Sequence, residues 1–281
     1  MIDWQADLHR PPLVDSDGQP LWELLLCNID ASFTYVAQVS QSAVNQAWLT
    51  EHLRLAKIRA GGQPDRLQVF RPQALSLLRA GAAPLGIEVQ ATRHTPTLHR
   101  WLRQRADEYG ALAHATGVPY QPLELTPAPP LPLPESLWGR RWGFTALTAA
   151  EFERTFPYEP IPINHLPVDW LPSRWGVASS APLPGVVIEA GAQALPLSRW
   201  IEAAAPAWLR YQPGDLGGLI LEAGLSDRWV VATFSDPQVG AAGQLFEQRK
   251  RLTQGLHFLL VQPDDSGMTY TGLWLLREGS C

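Results

Sequence analysis

The distribution of proline is the sequence feature that most constrains the fold. Seven prolines fall within sixteen residues between positions 119 and 134, and a looser group runs from Pro157 to Pro184. Proline lacks a backbone donor and disfavours helix at the residue before it, so this region is expected to be extended. We therefore predict an N-terminal domain over residues 1–115, a connector over 116–182 and a C-terminal domain over 183–281.

The predicted connector also carries large aromatic side chains, which a freely mobile tether would not need. We expect these aromatic residues to dock the connector onto the two domains. They are Trp138, Trp142, Phe144, Phe152, Trp170 and Trp175.

The N-terminal domain has the hydrophobic patterns of alternating strands and helices. Strands are predicted at residues 21–28, 33–39, 66–70 and 87–91. Ser42 is predicted to cap a helix that runs to Ile58, and Pro72 and Pro96 each suit the first position of a further helix. The resulting order β-β-α-β-α-β-α predicts a mixed sheet covered by helices.

The C-terminal domain has a similar pattern. Strands are predicted at 186–190, 208–211, 219–222 and 229–234, helices near 197–204 and from Pro237 to Thr253, and a hairpin of 256–262 with 269–276. The expected fold class is α/β, with two domains that are each a mixed β-sheet covered by helices, joined by the Pro/Trp-rich connector.

Composition excludes several broad classes. The apolar fraction of 46% and the charged fraction of 17% provide enough apolar material for a real core. The sequence has no run of 18 apolar residues that would span a membrane, and its first residues do not resemble a signal peptide. Two cysteines, Cys27 and Cys281, do not make a disulfide framework. We expect a cytoplasmic protein.

Motifs of known catalytic and metal centres are missing from the sequence. The seven histidines have no metal-binding spacing, and there is no Cys-x-x-Cys, phosphate-binding glycine loop or Gly-x-Ser-x-Gly element. The glycine-rich stretch 214–218 is predicted to be a turn. Asp264, Asp265, Ser266 and His257 are residue types of a catalytic triad, but a hairpin turn is the better interpretation. We therefore expect no enzyme activity, no cofactor and no metal.

A metal-dependent nuclease is a further catalytic alternative. Such an enzyme needs two or more carboxylates that converge on Mg²⁺. The second half supplies acids and a segment, 247–250, that loosely resembles a Glu-x-Lys element. The acids are Glu189, Asp215, Glu222, Asp227 and Asp236.

Charge is distributed unevenly along the chain. The net charge is −5, yet residues 52–105 contain ten basic and only two acidic residues. Such asymmetry indicates a surface that faces an anion. The alternative is that these bases lie on ordinary solvated helix faces that point in different directions.

Four arginines of this segment are the predicted RNA-binding residues. Arg71 and Arg93 precede the helices that begin at Pro72 and Pro96, where helix amino termini favour anions. Arg100 and Arg103 lie one helical turn apart, opposite an apolar stripe. Arginine also stacks on exposed bases, which suits single-stranded RNA.

Several sequence blocks resemble the Tab-type RNA-binding translation factors of cyanobacteria and chloroplasts. They include Trp4–Asp7, Val69–Gln73, Thr92–Pro96, Leu183–Val187, Gly218–Leu225, Phe246–Lys250 and Gly255–Gly267. The last of these, GLHFLLVQPDDSG, is the most specific. The sequence departs from the family where Leu8 and His9 replace an aromatic pair, and where His94 occupies a position that is often basic.

The resemblance implies an RNA-binding protein without catalytic activity that supports translation or assembly of photosystem subunits. Its expected partners are A/U-rich single-stranded RNA and translation or photosystem assembly proteins. Chloroplast members of the family act on translation of a photosystem I reaction-centre message. The overall acidity and the Trp-rich connector leave a second hypothesis open, in which the protein is an interaction scaffold for photosystem biogenesis.

Overall fold

The computed structural model describes residues 2–112, 114–124 and 129–279. The chain forms two compact units, unit 1 up to Thr126 and unit 2 from Pro127. Each unit combines β-sheet with helices, which confirms the predicted α/β class. None of the helices in these described ranges is long and apolar enough to cross a membrane.

Unit 1 contains one five-stranded sheet and three long helices. Its elements are β1 (Asp3–His9), β2 (Leu21–Asn28), β3 (Thr34–Ser40), α1 (Gln46–Ala60), β4 (Arg66–Val69), α2 (Pro72–Ala82), β5 (Glu88–Ala91) and α3 (Pro96–Tyr109). The strand order is β3-β2-β1-β4-β5. Strands β1, β4 and β5 run parallel, whereas β2 is antiparallel to both β1 and β3, so the sheet is mixed as predicted.

Helices cover both faces of this sheet. Alternate residues of β2 enter different cores: Leu24 and Leu26 pack with residues of α1 and α2, whereas Leu25 and Cys27 pack with Leu98 of α3. Because successive strand residues point to opposite faces, α3 lies on the face opposite α1 and α2.

Local sequence signals located most helix starts correctly. Pro72 and Pro96 begin α2 and α3, as their fixed φ and missing N–H favour. Helix α1 starts later than predicted, because Asn45 rather than Ser42 caps it: the Asn45 side chain accepts the Trp48 amide. Strand β1 was not predicted from the sequence at all.

Unit 2 contains two sheets and three helices. Its elements are β6 (Leu131–Pro132), β7 (Arg141–Thr148), α4 (Ala149–Thr155), β8 (Ile163–His165), β9 (Pro182–Glu189), α5 (Ala194–Ala204), β10 (Pro206–Gln212), β11 (Gly217–Ala223), β12 (Asp227–Phe234), α6 (Pro237–Leu252), β13 (Leu256–Gln262) and β14 (Gly272–Arg277). The sheet orders are β10-β11-β12-β6 and β7-β9-β13-β14-β8. One core joins residues of both sheets with α5 and α6, and a second includes α4.

The region predicted to be a connector, 116–182, differs from that expectation in the structure. Strand β7 pairs antiparallel with β9 along its whole length, and Phe152 of α4 is fully buried. Trp142 and Phe144 pack against the core that joins the two sheets. The physical reason is that prolines flank residues 141–148 without interrupting them, so an ordinary strand forms between the proline groups.

Candidate nucleic-acid interface

The carboxyl ends of the parallel strands β1, β4 and β5 meet at one edge of the unit 1 sheet. Arg71 follows β4, Arg93 and His94 follow β5, and α2 and α3 begin at this edge. Open α/β sheets commonly bind ligands outside the carboxyl ends of their strands. The fold therefore brings all four predicted arginines to α3 or to this edge of the sheet.

Arg71 is held by a buried carboxylate. Its Nε and Nη2 atoms donate to the two Asp7 oxygens at 2.9 and 3.0 Å, and Nη2 also donates to the Pro122 carbonyl at 2.7 Å. Burial raises the pKa of Asp7, but His9 and Arg71 outweigh it, so the pKa lies below its ordinary value. Arg71 therefore neutralises the buried Asp7 carboxylate. The sequence predicted that Arg71 binds RNA, but in the structure its guanidinium is not open to a phosphate.

A second buried carboxylate, Glu23, holds Arg105 in the same way. Arg105 Nε donates to Glu23 Oε1 at 2.9 Å, and the Tyr109 hydroxyl donates to the same oxygen. His9 Nε2 lies 3.2 Å from the Tyr109 hydroxyl and links this group to Asp7. Burial, together with Glu23, raises the pKa of Tyr109. Two of the ten bases of segment 52–105 thus belong to one interior network.

Arg100 and Arg103 have a different environment. Both side chains are exposed on α3, whereas Leu98 and Leu102 on its other side are completely buried. Neither arginine forms an ion pair with any residue in the described ranges. His94, in the loop before α3, is also exposed. We call these three residues, His94, Arg100 and Arg103, the α3 surface.

His99 is a largely buried histidine that lies near Arg103 and His94. Burial lowers its pKa to about 4, and Arg103, His94 and Arg71 contribute in the same direction, while Asp7 opposes them. The His99 ring packs edge-on against Phe70, with 4.5 Å between ring centroids. His99 is therefore neutral at pH 7 and lies within the electrostatic reach of the α3 surface.

The start of α3 is less open to anions than the sequence indicated. The Leu98 amide, which would otherwise face outward, donates to Gln5 Oε1 at 2.8 Å. Arg93 is half-buried and does not lack a partner. Of the four predicted arginines, Arg100 and Arg103 are thus the two that the structure leaves exposed, and their contact with RNA stays a prediction.

The remaining exposed bases of segment 52–105 are on other helices. Arg54, Lys57 and Arg59 lie on α1 and Arg79 lies on α2, so they occupy the face of the sheet opposite α3. No single face holds the whole basic segment. The sequence reasoning also missed Asp7 and Glu23, although an acid within a strand of apolar residues signals a buried cation partner.

Two of the acids that could serve a nuclease instead pair with arginines. Glu189 accepts from Arg141 at 2.9 Å, and Glu222 accepts from Arg228 at 3.0 Å. Among the residues that the structure describes, no three His, Cys, Asp or Glu side chains form a group that could hold a metal ion.

The Glu247–Lys250 element stabilises unit 2 from within. Lys250 is 2% exposed, and its Nζ contacts the Leu209 carbonyl at 2.8 Å, Glu247 Oε2 at 3.0 Å and Glu278 Oε2 at 2.7 Å. His257 accepts the Leu209 amide at 2.8 Å, and its burial beside Lys250 lowers its pKa to about 3. Lys250 and His257 both hold strand β10 in place through their contacts with Leu209.

Comparison with known proteins identifies relatives for both units. Residues 3–105 match the N-terminal domain of the RNA-binding protein Tab2/Atab2, and residues 120–277 match its C-terminal domain. The chloroplastic TAB2 homolog of Zea mays is 26% identical over 280 residues, which cover 98% of this chain and 71% of that protein. The chloroplastic homolog of Arabidopsis thaliana is 26% identical over 286 residues, covering 98% and 74%.

A similarity to a solved structure is much weaker. The integrase catalytic core domain of HTLV-2 is 12% identical, covering 38% of this chain and 69% of that one, with a TM-score of 0.27, which is too low to bear on fold or function. The two domain matches together cover most of the chain, and on that basis it belongs to the Tab2/Atab2 family of RNA-binding proteins.

Proposed function

We propose that the protein binds A/U-rich single-stranded RNA through the α3 surface and so supports translation or assembly of photosystem subunits. The observation that carries the proposal is membership of an RNA-binding family across both units. The plant homologs are chloroplastic proteins, which supports a role in photosynthetic cells. We also propose that the protein acts in the cytoplasm. Cell fractionation tests this location.

The α3 surface has the chemistry that single-stranded RNA requires. Arg100 and Arg103 lie three residues apart, so both project from one side of the helix. A guanidinium can contact a phosphate with two N–H groups and can stack on an unpaired base. Since neither side chain has a carboxylate partner among the described residues, binding RNA breaks no ion pair within that part of the chain.

Salt-dependent binding is the test of this surface. Fluorescence anisotropy of a labelled A/U-rich RNA should give an affinity that falls with salt, with a log-log slope of about −0.7 per phosphate contacted. The double variant Arg100→Glu/Arg103→Glu should lose affinity and show a shallower slope. Folding should be unaffected, because both side chains are exposed.

A matched control distinguishes RNA binding by the α3 surface from non-specific electrostatic attraction. The variant Lys57→Glu/Arg59→Glu makes the same charge change on α1, on the opposite face of the sheet, and should bind nearly as well as the wild type. Equal losses in both variants would reject the α3 surface and leave only non-specific attraction. A wild-type protein that retains no RNA would reject the function itself.

The cellular target requires a separate experiment. Crosslinking the native protein in cells and sequencing the attached RNA should recover messages for photosystem subunits. A pull-down with and without RNase tests the scaffold alternative. Assembly proteins that remain bound after RNase treatment would favour the scaffold over RNA-mediated association.

A further inference from the structure

Unit 2 contains a groove whose lining residues are not part of the proposed α3 surface. Its volume is about 350 Å³, and it lies between the β10–β11 loop, the end of β12 and the first turns of α6. The glycine-rich stretch 214–218, predicted from the sequence to be only a turn, forms part of its wall. Ligand pockets typically combine an apolar surface with a few convergent polar groups.

Two aromatic rings form the apolar part of the groove. Tyr211 and Phe234 are nearly parallel, with ring centroids 6.0 Å apart and an interplanar angle of 14°. A Cβ atom on Gly217 would lie 2.8 Å from the Phe234 ring, and one on Gly243 would lie 2.7 Å from the Tyr211 ring. These two glycines therefore allow the rings to pack directly on the backbone.

Gly240 leaves the groove open. A Cβ atom at this position would meet only the Tyr211 hydroxyl, at 3.5 Å, which is ordinary van der Waals contact. The first turns of α6 thus present a wall without side chains at this point. A larger residue at 240 would project into the groove without displacing the core.

The polar groups that line the groove include the Tyr211 hydroxyl, the Asp215 and Asp236 carboxylates and the Gln244 amide. Tyr211 is 8% exposed, yet its hydroxyl has no hydrogen-bond partner in the described part of the chain, and the same holds for the side chains of Asp215 and Gln244. Asp236 caps α6 by accepting the Gln238 amide at 2.7 Å. The two carboxylates make the groove negative, and no arginine or lysine lines it.

We propose that this groove binds the arginine side chain of a protein partner. A guanidinium is planar, so it can lie over the Phe234 ring, and its fork of N–H groups can donate to Asp215 and to the Tyr211 hydroxyl. Charge complementarity favours this occupant, since residues 127–280 contain fifteen acidic and eleven basic residues. The same carboxylates repel an RNA phosphate.

The arginine site is independent of the proposed RNA-binding function. It uses different residues, in the other unit, for a different ligand, so either proposal can fail alone. Together they give the protein one surface for RNA and one for a basic partner.

Nuclear magnetic resonance on the full chain tests the site directly. Acetyl-arginine amide should shift the backbone amide signals of Gly214, Gly217 and Gly240, which fall in the distinct glycine region of the spectrum. The lysine analogue should bind less well, because its ammonium is compact and cannot stack as a plane. The citrulline analogue, which keeps the planar shape without the charge, should produce no saturable shift.

Variants assign these shifts to the groove. Gly240→Leu should abolish the shifts of Gly214 and Gly217, and Asp215→Asn should weaken binding about tenfold, as expected for loss of a charged hydrogen-bond partner. Gln248→Leu places a leucine on the exposed surface of α6 outside the groove and should bind like the wild type. Gly240→Ala, which adds one tolerated methyl group, controls for the helix itself.

Three results would overturn the proposal. The first is that the three glycine amides do not respond to acetyl-arginine amide. The second is an equal response to citrulline, which would make the charge irrelevant. The third is that single-stranded oligoadenylate shifts these amides and is blocked by Gly240→Leu, which would assign the groove to an RNA base instead.

Discussion

The most deeply buried ion-pair members of the two units have opposite charges. In unit 1 the completely buried members of the ion pairs are the acids Asp7 and Glu23, while Arg71 and Arg105 lie nearer the surface. In unit 2 the most deeply buried member is Lys250, and its partners Glu247 and Glu278 are about one quarter exposed. A charged residue near the surface can therefore be the partner of a buried residue of opposite charge. A basic stretch of sequence thus contains both arginines that pair with buried acids and arginines that do not.

The largest expected effect is on the buried acid of unit 1. Arg71→Met removes a charge and two hydrogen bonds from the buried Asp7 carboxylate, which should destabilise the protein by about 4 kcal/mol. Chemical denaturation, combined with hydrogen exchange in peptides from β1, measures the loss. Arg79→Met, at an exposed position of α2, is the control and should have little effect. A loss below that of the control would mean that Asp7 is not charged in the folded protein.

The reversed arrangement in unit 2 should be more tolerant. Lys250→Met removes the buried cation, but Glu247 and Glu278 can turn toward solvent, so we expect a smaller loss of about 2 kcal/mol. Hydrogen exchange in β10 and β13 should report it, since Lys250 also contacts the Leu209 carbonyl. The exposed Arg251→Met is the control. A loss greater than that of Arg71→Met would contradict the comparison.

Acid should destabilise the two units over different ranges. The pKa of His257 is lowered to about 3 and that of His99 to about 4, so each binds a proton more readily in the unfolded chain. Stability should therefore fall with pH from about 6.5 down to the folded pKa of each, by up to about 1.4 kcal/mol per pH unit for each histidine. Denaturation curves between pH 7 and pH 3 measure this slope.

Histidine variants separate the two contributions to the acid sensitivity. His257→Gln should flatten the dependence in unit 2 down to pH 3, whereas His99→Gln should act only above pH 4. Hydrogen exchange in β13 and in α3 distinguishes the units. An unchanged slope in both variants would place the acid sensitivity in carboxylates such as Asp7.

The smallest effect is expected for an ion pair on the surface of unit 2. Arg141 contacts Glu189 at 2.9 Å and Asp265 at 2.8 Å, but its side chain is 65% exposed. Water and salt screen such pairs, so Arg141→Met should change the unfolding free energy by less than about 1 kcal/mol. Urea denaturation at low and high salt checks this value. A loss as large as that of Lys250→Met would show that burial does not decide the strength of these pairs.

Local signals in the sequence were sufficient for much of the fold. Prolines at the first helical position located α2, α3 and α6, and the apolar runs located β2 and β13, because these features act within a few residues. The family resemblance was confirmed by matches to both units.

Features that depend on distant residues could not be predicted in this way. Strand β1 contains Gln5, Asp7 and His9, and each of these buried residues has a partner more than sixty residues away in sequence. Strand β7 was missed because the prolines around it suggested a connector. Of the predicted site, the exposure of Arg100 and Arg103 followed from helix periodicity, but the pairing of Arg71 with Asp7 required the folded sheet.

The short strands of the proline-rich region have a consequence for how copies of the protein behave in a crowded cell. Strand β6 contributes two residues beside β12, and β8 contributes three beside β14, each at the edge of its sheet. An unprotected sheet edge is a template for another chain, and short or proline-containing strands make poor templates. The proline-rich region thus also protects one edge of each sheet of unit 2 from pairing with another chain.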